Sequence, residues 1–372
     1  LHRMMDVTDF HPENERRKRE YIQRCEMAKG LSAMTVGHIG RAIRHFEIFT
    51  GFKDFKSFDR EQAIAFCNHL ANDNSPTTGK PLSVSTRHST LVLLGPFFRW
   101  LASEPGYKSA INIGDIEYLT VNRRERAIAL HRKEPKRFPS CEKVVQVLRL
   151  HPVTTDLDRR DRALLAFLLL TCARDDSVRS LKLEHIDLEA NTAFLDARVV
   201  STKNSKTFKV WFFPVDPAVR TIVADWVGYL RGTLGFEGKD PLFPATAQVV
   251  GANQQFTNDG LSRHHWKTTG PIRDILRKRL TDAGESYYNP HLFRKTLVQL
   301  GEQLCTTPEE FKVWSQNMGH EEVLTTFRSY GQVPTARHAE IMARLGVSGP
   351  DVDSKDAQRR LLHKMLADLD HA

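Results

Sequence analysis

The chain has 372 residues, of which 40% are hydrophobic and 27% are charged. This length exceeds what one hydrophobic core usually organises, so the sequence predicts two domains joined by a linker. Lys and Arg outnumber Asp and Glu by 54 to 45, which leaves a net charge of +9. Such a basic excess favours a polyanionic partner, either a nucleic acid or an anionic membrane surface.

The distribution of apolar residues excludes a membrane-spanning protein. No stretch approaches the roughly 18 consecutive apolar residues that a spanning helix needs, and the longest run covers only residues 163–170. The N-terminal residues are charged with no apolar stretch behind them, so no secretory signal is expected. The five cysteines are scattered without metal-ligand spacing, which predicts reduced thiols, no bound metal and a cytoplasmic protein.

The N-terminal part of the chain divides into two segments of different character. Residues 1–30 are polar and charge-rich, and we interpret them as either a solvated lead-in or a DNA-contacting arm. Residues 31–112 contain three helical patterns, which predict a small all-α domain. Asp59 and Gln62 are expected to form a capping box at the start of the second helix. Pro96 is expected to kink or interrupt the third.

Residues 113–139 are predicted to form a basic linker between the two domains. Seven basic and two acidic residues give residues 122–139 a charge of +5, and Pro135 and Pro139 should keep its end extended. The segment is either a solvated linker or, as the concentration of charge favours, a strap along a phosphate backbone. The candidate DNA-contacting residues are Arg123, Arg124, Arg126, Arg132, Lys133, Lys136 and Arg137, with Lys206 farther along the chain.

Residues 140–348 are predicted to form the second domain. A buried helix over residues 162–171 leads into Arg174, and two strand-like runs at 194–200 and 207–213 flank a polar turn, which predicts a β-hairpin. Asp216 and Pro217 should begin the next helix. Residues 233–265 lack periodicity, which predicts a long loop. Further helices are predicted at 271–283, 290–304, 308–317, 321–329 and 336–345.

The sequence Asn-Pro-His-Leu-Phe-Arg at residues 289–294 carries a chemical signal. Asn289 and Pro290 suit the N-cap and the first position of a helix, so His291 and Arg294 would share one face of its first turn. An imidazole and a guanidinium at a helix N-terminus are typical of a phosphate site. The His-x-x-Arg spacing alone is weak evidence for such a site, because a structural His and a surface Arg often have this spacing by chance.

The order of the residues around this motif is more specific. Arg174 ends a buried helix, a lysine lies in the hairpin turn, His-x-x-Arg follows, and then come a Gly-His pair and a tyrosine. This series resembles the tyrosine recombinases of the phage integrase family. The resemblance covers residues 140–348 closely and the preceding helical domain less specifically. It implies a mainly α fold with a small antiparallel β-sheet, in which a helical core-binding domain and a catalytic domain form a C-shaped, two-domain clamp around DNA.

The resemblance also implies how DNA is cut. Tyr330, the only tyrosine after the His-x-x-Arg motif, is the candidate nucleophile, although without the motif it would be interpreted as a core aromatic residue. A phenol with an ordinary pKa near 10 needs cationic neighbours or a base to attack at neutral pH. Arg174 and Arg294 would hold the phosphate oxygens and stabilise the transition state.

Three further residues would transfer a proton or donate a hydrogen bond during cleavage. Lys203 resembles the lysine that protonates the 5′ leaving oxygen, and Lys206 is the alternative, although either would otherwise be a solvated turn lysine. His291 would assist proton transfer at the nucleophile, and His320 would hydrogen-bond the phosphate.

Four features depart from the family pattern. Ser177 replaces a usual acidic residue, Cys172 replaces a common glycine, and Lys295 stands where histidine is frequent. The step of ten residues from His320 to Tyr330 is one longer than the commonest spacing. No essential position is missing, so an active enzyme is expected.

The implied function is that of a site-specific DNA recombinase or integrase. Four protomers on two duplexes would exchange strands through a Holliday junction without a cofactor or metal, in the cytoplasm and at the nucleoid. An accessory DNA-bending factor is a further candidate partner. The alternatives are a type IB topoisomerase and a DNA-binding regulator with an inactive site. The apolar stripe in residues 349–372 predicts a tail helix that packs on its own domain or on a neighbouring protomer.

Overall fold

The computed structural model describes residues 10–76, 78–131, 137–202, 206–250 and 256–320. The chain divides into two compact units, unit 1 (Leu1–Glu134) and unit 2 (Pro135–Ala372). Helices dominate and the strands form small antiparallel sheets, so the predicted mainly α fold with a small antiparallel sheet is confirmed. No helix within the described ranges is long and apolar enough to cross a membrane.

Unit 1 packs its helices around a cluster of phenylalanine rings. The ring centre of Phe46 lies 5.1 Å from those of Phe66 and Phe98, and Phe58 stacks on Phe98 at 4.0 Å. Interlocked aromatic rings supply much buried apolar area from few residues. The helices are α1 (Pro12–Gln23), α2 (Ala33–Thr50), α3 (Arg60–Asn72), α4 (Val84–Leu101), α5 (Ile113–Ile116) and α6 (Arg123–His131).

The described part of residues 1–30 belongs to the core of unit 1, which corrects its interpretation as a solvated lead-in or arm. Asn14 is fully buried, where its amide donates to the carbonyl of Lys53 and its carbonyl accepts from the N–H of Phe55. Tyr21 is 1% exposed. The charged side chains of α1 obscure this buried face in the sequence, and Asn14 is buried because it satisfies two backbone groups.

The described start of the predicted linker, residues 113–139, is also part of unit 1. It contains α5 and α6, and Ile116, Leu119 and Val121 are buried in the core of that unit. These apolar residues precede the basic cluster and anchor the chain, so the segment is no free linker up to residue 131. Residues 132–136 lie outside the described residues.

Two local predictions in unit 1 need revision. Asp59 caps α3 by accepting from the backbone N–H of Gln62 at 2.8 Å. The side chain of Gln62 does not return the bond and instead donates to the hydroxyl of Ser57 at 3.3 Å, so the capping box is only half formed. Pro96 was expected to kink or interrupt the third helix; α4 continues through Pro96, so the interruption does not occur.

Unit 2 is organised around a helix that is buried on all sides. Every residue from 163 to 170 in this helix is at most 2% exposed. The helices are α7 (Cys141–Leu150), α8 (Asp156–Thr171), α9 (Asp175–Val178), α10 (Pro217–Gly232), α11 (Gly270–Asp282), α12 (Pro290–Leu304) and α13 (Pro308–Asn317). The strands are β1 (Ile186–Asp187), β2 (Thr192–Leu195) and β3 (Phe208–Trp211), antiparallel in that order, and the antiparallel pair β4 (Thr246–Val250) and β5 (Phe256–Leu261).

The central helix α8 begins six residues earlier than the predicted residue 162. Thr155 and Asp158 form a reciprocal capping box there, which the charged sequence of the first turn hides. The predicted start of α10 at Asp216 and Pro217 is confirmed. The predicted helices at 271–283, 290–304 and 308–317 are also confirmed to within a residue, whereas those at 321–329 and 336–345 and the tail helix at 349–372 lie outside the described residues.

The strands differ most from the sequence prediction. The first strand of the hairpin ends at residue 195 rather than 200, because Asp196 turns the chain: its carbonyl accepts from the N–H of Val200 at 2.7 Å. The second strand covers the middle of the predicted 207–213. Residues 233–265 are not one long loop, because β4 and β5 pair within them.

A buried network of charges joins α8 to α11. The Nη2 atom of Arg279 lies 2.7 Å from Asp158 Oδ1 and 2.9 Å from Asp161 Oδ2, and Arg160 pairs with Asp161 at 2.7 Å. All four side chains are buried. Burial opposes the ionisation of Asp158, but hydrogen bonds from Thr154, Thr155 and Arg279 outweigh it and lower its pKa to about 2.

We predict that Arg279→Met lowers the free energy of unfolding by about 3–5 kcal/mol, because Asp158 and Asp161 are left buried without this cation. The measurement is urea denaturation at pH 7. Arg277→Met is the matched control: Arg277 lies on the same helix in an exposed pair with Asp274, and exposed pairs contribute little. Equal effects of the two substitutions would contradict the prediction.

The same network predicts a pH dependence. The lowered pKa of Asp158 stabilises the fold above its unfolded value of about 3.8, and this contribution is lost as the pH falls from there through about 2. Acid unfolding of Asp158→Asn should therefore have a smaller pH slope between these values than the unaltered protein. An unchanged slope would show that the carboxylate is not held in its ionised form.

Candidate active site

The buried side chain of Arg294 connects three segments of unit 2. It lies in the first turn of α12 and is 5% exposed. Its Nη1 donates to the carbonyl of Cys172 at 2.5 Å, and its Nη2 donates to the carbonyl of Met318 at 2.8 Å and to Nε2 of His320 at 2.9 Å. A guanidinium has no acceptor, so Nε2 of His320 accepts and its ring proton is assigned to Nδ1.

Cys172 ends α8 in the left-handed conformation, with φ +58°. Glycine is the usual residue at such a position because it has no Cβ to strain the backbone. Burial raises the pKa of the Cys172 thiol, although the guanidinium groups of Arg294 and Arg174 oppose the rise. The thiol is therefore protonated at neutral pH, and the residue contributes a backbone carbonyl to Arg294 rather than a reactive sulfur.

Arg174 follows this turn and is half-buried at the N-cap of α9. Burial lowers the pKa of Arg174, and the positive charge of Arg294 lowers it further. The neighbouring Asp175 does not neutralise the pair, because its carboxylate accepts from Arg273 at 2.8 and 3.0 Å. Two guanidinium groups that repel each other, and that no carboxylate of the described residues pairs with, favour the binding of an anion.

His291 lies beside these cations at the N-terminus of α12. Its side chain is exposed, but nearby protein atoms partly desolvate it and lower its pKa below the ordinary 6.5, and Arg294 and Arg174 lower it further. His291 is therefore neutral at pH 7 and able to accept a proton. Asn289 occupies the N-cap position, but its side chain makes no capping hydrogen bond, contrary to the sequence prediction.

The end of α13 is attached to strand β3. The side-chain amide of Asn317 accepts from the backbone N–H of Trp211 and donates to its carbonyl, both at 2.8 Å. Gly319 has φ +74°, and a Cβ there would lie 2.7 Å from the ring of Phe208. These contacts fix the backbone that carries His320. The sequence analysis did not identify Asn317 as a supporting residue, because its partner Trp211 lies 106 residues away in the chain and no local pattern marks the contact.

The hairpin that carries the candidate lysines is anchored at its first residues. The N–H of Ser201 donates to the hydroxyl of Ser180 at 2.9 Å, and the carbonyl of Ser201 accepts from the hydroxyl of Ser177 at 2.8 Å. Ser177, which departs from the family pattern, is thus a support of this loop. Lys203 lies outside the described residues. Lys206 is described and lies over the ring of Phe208 at 6.0 Å.

The structure therefore brings four of the six predicted site residues into one region of unit 2. Arg294 and His320 are in direct contact, and Arg174 and Arg294 are near enough to His291 to lower its pKa. Tyr330, like Lys203, lies outside the described residues. The part of the chain that is described places no group of three metal-binding side chains in this region; such a group occurs in unit 1, at His45, His69 and Asp73.

Besides Lys206, four of the candidate DNA-contacting residues are described, and they lie in two places. Three of them project from α6 of unit 1 as exposed side chains, and Arg137 is exposed at the start of unit 2. The helix begins with the side chain of Asn122, which accepts from the N–H of Arg124 at 2.8 Å. The predicted strap is thus helical over residues 123–131, whereas residues 137–139 are in no helix. The α6 residues are Arg123, Arg124 and Arg126, and the candidates outside the described residues are Arg132, Lys133 and Lys136.

Comparison with known proteins identifies the family. A family model described as the phage integrase family matches residues 142–337, which is just over half of the chain. The chain belongs to the phage integrase family of tyrosine recombinases. The match contains all six candidate catalytic residues. A comparison with curated protein sequences gives no match.

Solved structures of this family share the fold at low sequence identity. A lambda integrase dimer bound to a COC′ core site has 12% identity and a TM-score of 0.56, covering 86% of this chain and 97% of that one. The Tn1549 transposon integrase in complex with circular intermediate DNA has 14% identity and a TM-score of 0.54, with coverage of 88% and 99%. The XerH recombinase bound to difH has 13% identity and a TM-score of 0.52, covering 91% of each chain.

We predict that Gly319→Ala displaces the turn that carries His320. The substitution adds left-handed strain, about 1–2 kcal/mol, and a collision with Phe208. Gly284→Ala is the matched control, because Gly284 has φ +75° with nothing within 4 Å of its Cβ position. The free energy of unfolding, measured by urea denaturation, should fall more for Gly319→Ala. Equal losses would mean that the packing on Phe208 is immaterial.

We predict that Arg174→Met raises the pKa of His291 above its value in the unaltered protein, because the substitution removes a repelling cation. Asp175→Asn should lower this pKa below that value, because it removes an attracting anion. The measurement is NMR titration of the imidazole. Arg149→Met, which alters an exposed arginine paired with Asp216, should leave the pKa unchanged. Identical titrations of all four proteins would show that no cation faces His291.

Proposed function

We propose that this protein is a site-specific DNA recombinase that breaks and rejoins DNA through a 3′-phosphotyrosine intermediate. The observation that carries the proposal is the pair formed by Arg174, at the N-cap of α9, and Arg294, in the first turn of α12. No carboxylate of the described residues pairs with either cation. A phosphodiester is the anion that such a forked arrangement binds best. The solved relatives support DNA as the partner, since lambda integrase and XerH are bound to their DNA sites.

In the proposed reaction Tyr330 is the nucleophile. Its phenolic oxygen attacks the scissile phosphorus, the bond from phosphorus to the 5′ oxygen breaks, and the 3′ phosphate becomes joined to the tyrosine. His291 accepts the phenolic proton, because its lowered pKa keeps the imidazole in the neutral form that can act as a base. Lys203 donates a proton to the departing 5′ oxygen. Arg174 and Arg294 stabilise the extra charge of the pentavalent transition state.

His320 has a proposed role that begins with its bond to Arg294. Its Nε2 accepts from Arg294, so the ring proton is on Nδ1, the atom that would donate to a phosphate oxygen. Arg294 keeps two further N–H groups, since three of its five donate to Cys172, Met318 and His320. Phosphate binding therefore requires no loss of these structural bonds.

Strand exchange follows from reversal of the first step. A 5′-hydroxyl of a partner duplex attacks the phosphotyrosine and releases Tyr330, which conserves the energy of the phosphodiester without a nucleotide cofactor or a metal. We propose that four protomers on two duplexes carry out two such rounds through a Holliday junction. The basic residues of α6 and Arg137 would contact the phosphate backbone of the DNA.

The covalent intermediate can be tested without knowledge of the target site. A pool of nicked duplexes of randomised sequence is incubated with the protein in EDTA, and adducts that survive SDS are isolated. The unaltered protein should form an adduct, Tyr330→Phe should form none, and Tyr287→Phe, a control at another tyrosine of unit 2, should retain it. An adduct in Tyr330→Phe, or a requirement for Mg²⁺, would overturn the proposal.

The DNA captured in this way then separates recombination from relaxation. Two duplexes that carry the captured site should yield recombinant products and Holliday junctions. Relaxation of supercoiled plasmid without any exchanged product would instead assign the protein as a type IB topoisomerase.

We predict that Lys203→Ala slows cleavage by about 10²–10⁴-fold, the usual contribution of general acid catalysis. A substrate with sulfur in place of the bridging 5′ oxygen should restore the rate, because a thiolate leaves without a proton. Lys206→Ala is the matched control in the same turn; at saturating DNA, where a lost DNA contact does not limit the rate, it should cleave both substrates normally. The reverse result would assign the proton donor to Lys206.

A further inference from the structure

Unit 1 contains a group of metal-binding side chains that the recombination chemistry does not use. His45 lies on α2, His69 lies on α3, and Asp73 follows the last residue of α3. One ligand atom from each residue lies within 4.8 Å of the other two. The Nε2 atom of His45 is 3.1 Å from Oδ2 of Asp73.

This spacing is close to what a transition metal requires. Ligand atoms about 2.0–2.1 Å from a tetrahedral zinc ion are about 3.3 Å apart, so His45 and Asp73 are already at the required separation. His69 and Asp73 are four residues apart, which places them on the same side of α3 as its last turn ends. His45 completes the group from the neighbouring helix.

Both imidazole rings are oriented by aromatic packing. The ring of His45 meets the buried ring of Phe66 edge-on at 5.7 Å. The ring of His69 packs on Phe49 at 5.1 Å and on Phe66 at 6.4 Å. Such contacts restrict the side-chain rotamers of both histidines before a metal binds, so less conformational entropy is lost on binding.

Asp73 is oriented by its own backbone contacts. Its Oδ1 accepts from the N–H of Asn74 at 2.8 Å, which leaves Oδ2 towards His45. Its carbonyl accepts from the N–H of Leu82 at 3.0 Å, so the residue also closes the connection between α3 and α4. All three side chains are at least partly accessible to solvent, which gives an ion a route of entry.

We propose that His45, His69 and Asp73 bind a divalent transition-metal ion, with zinc as the ion that suits two imidazoles and one carboxylate best and with water completing its coordination. The ion would replace the proton between His45 and Asp73 and would fasten α2 and α3 to the start of the next connection. Its role is structural and confined to unit 1. The cleavage chemistry proposed for unit 2 proceeds without it.

The simpler interpretation is a hydrogen-bonded pair of His45 and Asp73 beside a stacked His69. The two interpretations differ in what His69 does. A stacked ring contributes packing alone, whereas a ligand contributes to metal affinity, so substitutions at His69 distinguish them.

The test uses the untagged full-length chain after removal of metals by a chelator and dialysis. Zinc binding is measured by calorimetry and cobalt binding by visible absorption, and thermal unfolding is followed with and without zinc. The variants are His69→Ala and Asp73→Asn. The control is His38→Ala, since His38 is an exposed histidine two turns before His45 on the same helix and contacts Arg41.

The unaltered protein and His38→Ala should bind one more equivalent of zinc than His69→Ala and Asp73→Asn, in which affinity at this site should fall at least tenfold. Zinc should raise the unfolding temperature of the first two proteins only, and EDTA should reverse the rise. Equal zinc binding by His69→Ala and the unaltered protein overturns the proposal, as does a loss of stability in Asp73→Asn that is the same with and without zinc.

Discussion

A buried positive charge that no carboxylate of the described residues pairs with is the constraint around which the candidate site is built. Burial of a guanidinium is costly unless polar groups replace its water, and Arg294 obtains this from two backbone carbonyls and one imidazole. These acceptors are neutral, so they satisfy the hydrogen bonds and leave the positive charge in place. The chain provides them by ending α8 with Cys172 in a left-handed conformation and by holding Met318 at the end of α13.

The fold could be predicted from the sequence wherever the signal lies within a turn or two of the chain. Asp216 with Pro217 marks a helix start by local backbone chemistry, and apolar periodicity gives α11, α12 and α13 nearly to the residue. The prediction fails where distant partners decide. From the sequence alone Asn14 is interpreted as part of a polar tail, because its two backbone partners lie on the distant connection between α2 and α3. Strands β4 and β5 were missed because they are stabilised by pairing with each other.

For the four described members of the candidate site, the sequence predicted that they belong together but not how they contact one another. The succession of residues along the chain indicates that Arg174, His291, Arg294 and His320 act together, and the structure brings them into one region. That Arg294 is bound to His320 could not be inferred, because the contact depends on how α13 docks on β3 through Asn317. The roles of Tyr330 and Lys203 remain predictions from the sequence.

The arrangement of cations also explains why a metal is unnecessary in the proposed chemistry. Arg174 and Arg294 repel each other in the DNA-free protein, and burial makes the repulsion stronger. In the proposed reaction a bound phosphodiester would relieve that repulsion, and the pentavalent transition state, with more charge on its oxygens, would relieve it further. Two fixed guanidinium groups would thus stabilise the transition state more than the bound substrate, which is the condition for catalysis. A carboxylate between them would stabilise the free protein and remove this difference, and Asp175 is prevented from taking that position by its bonds to Arg273.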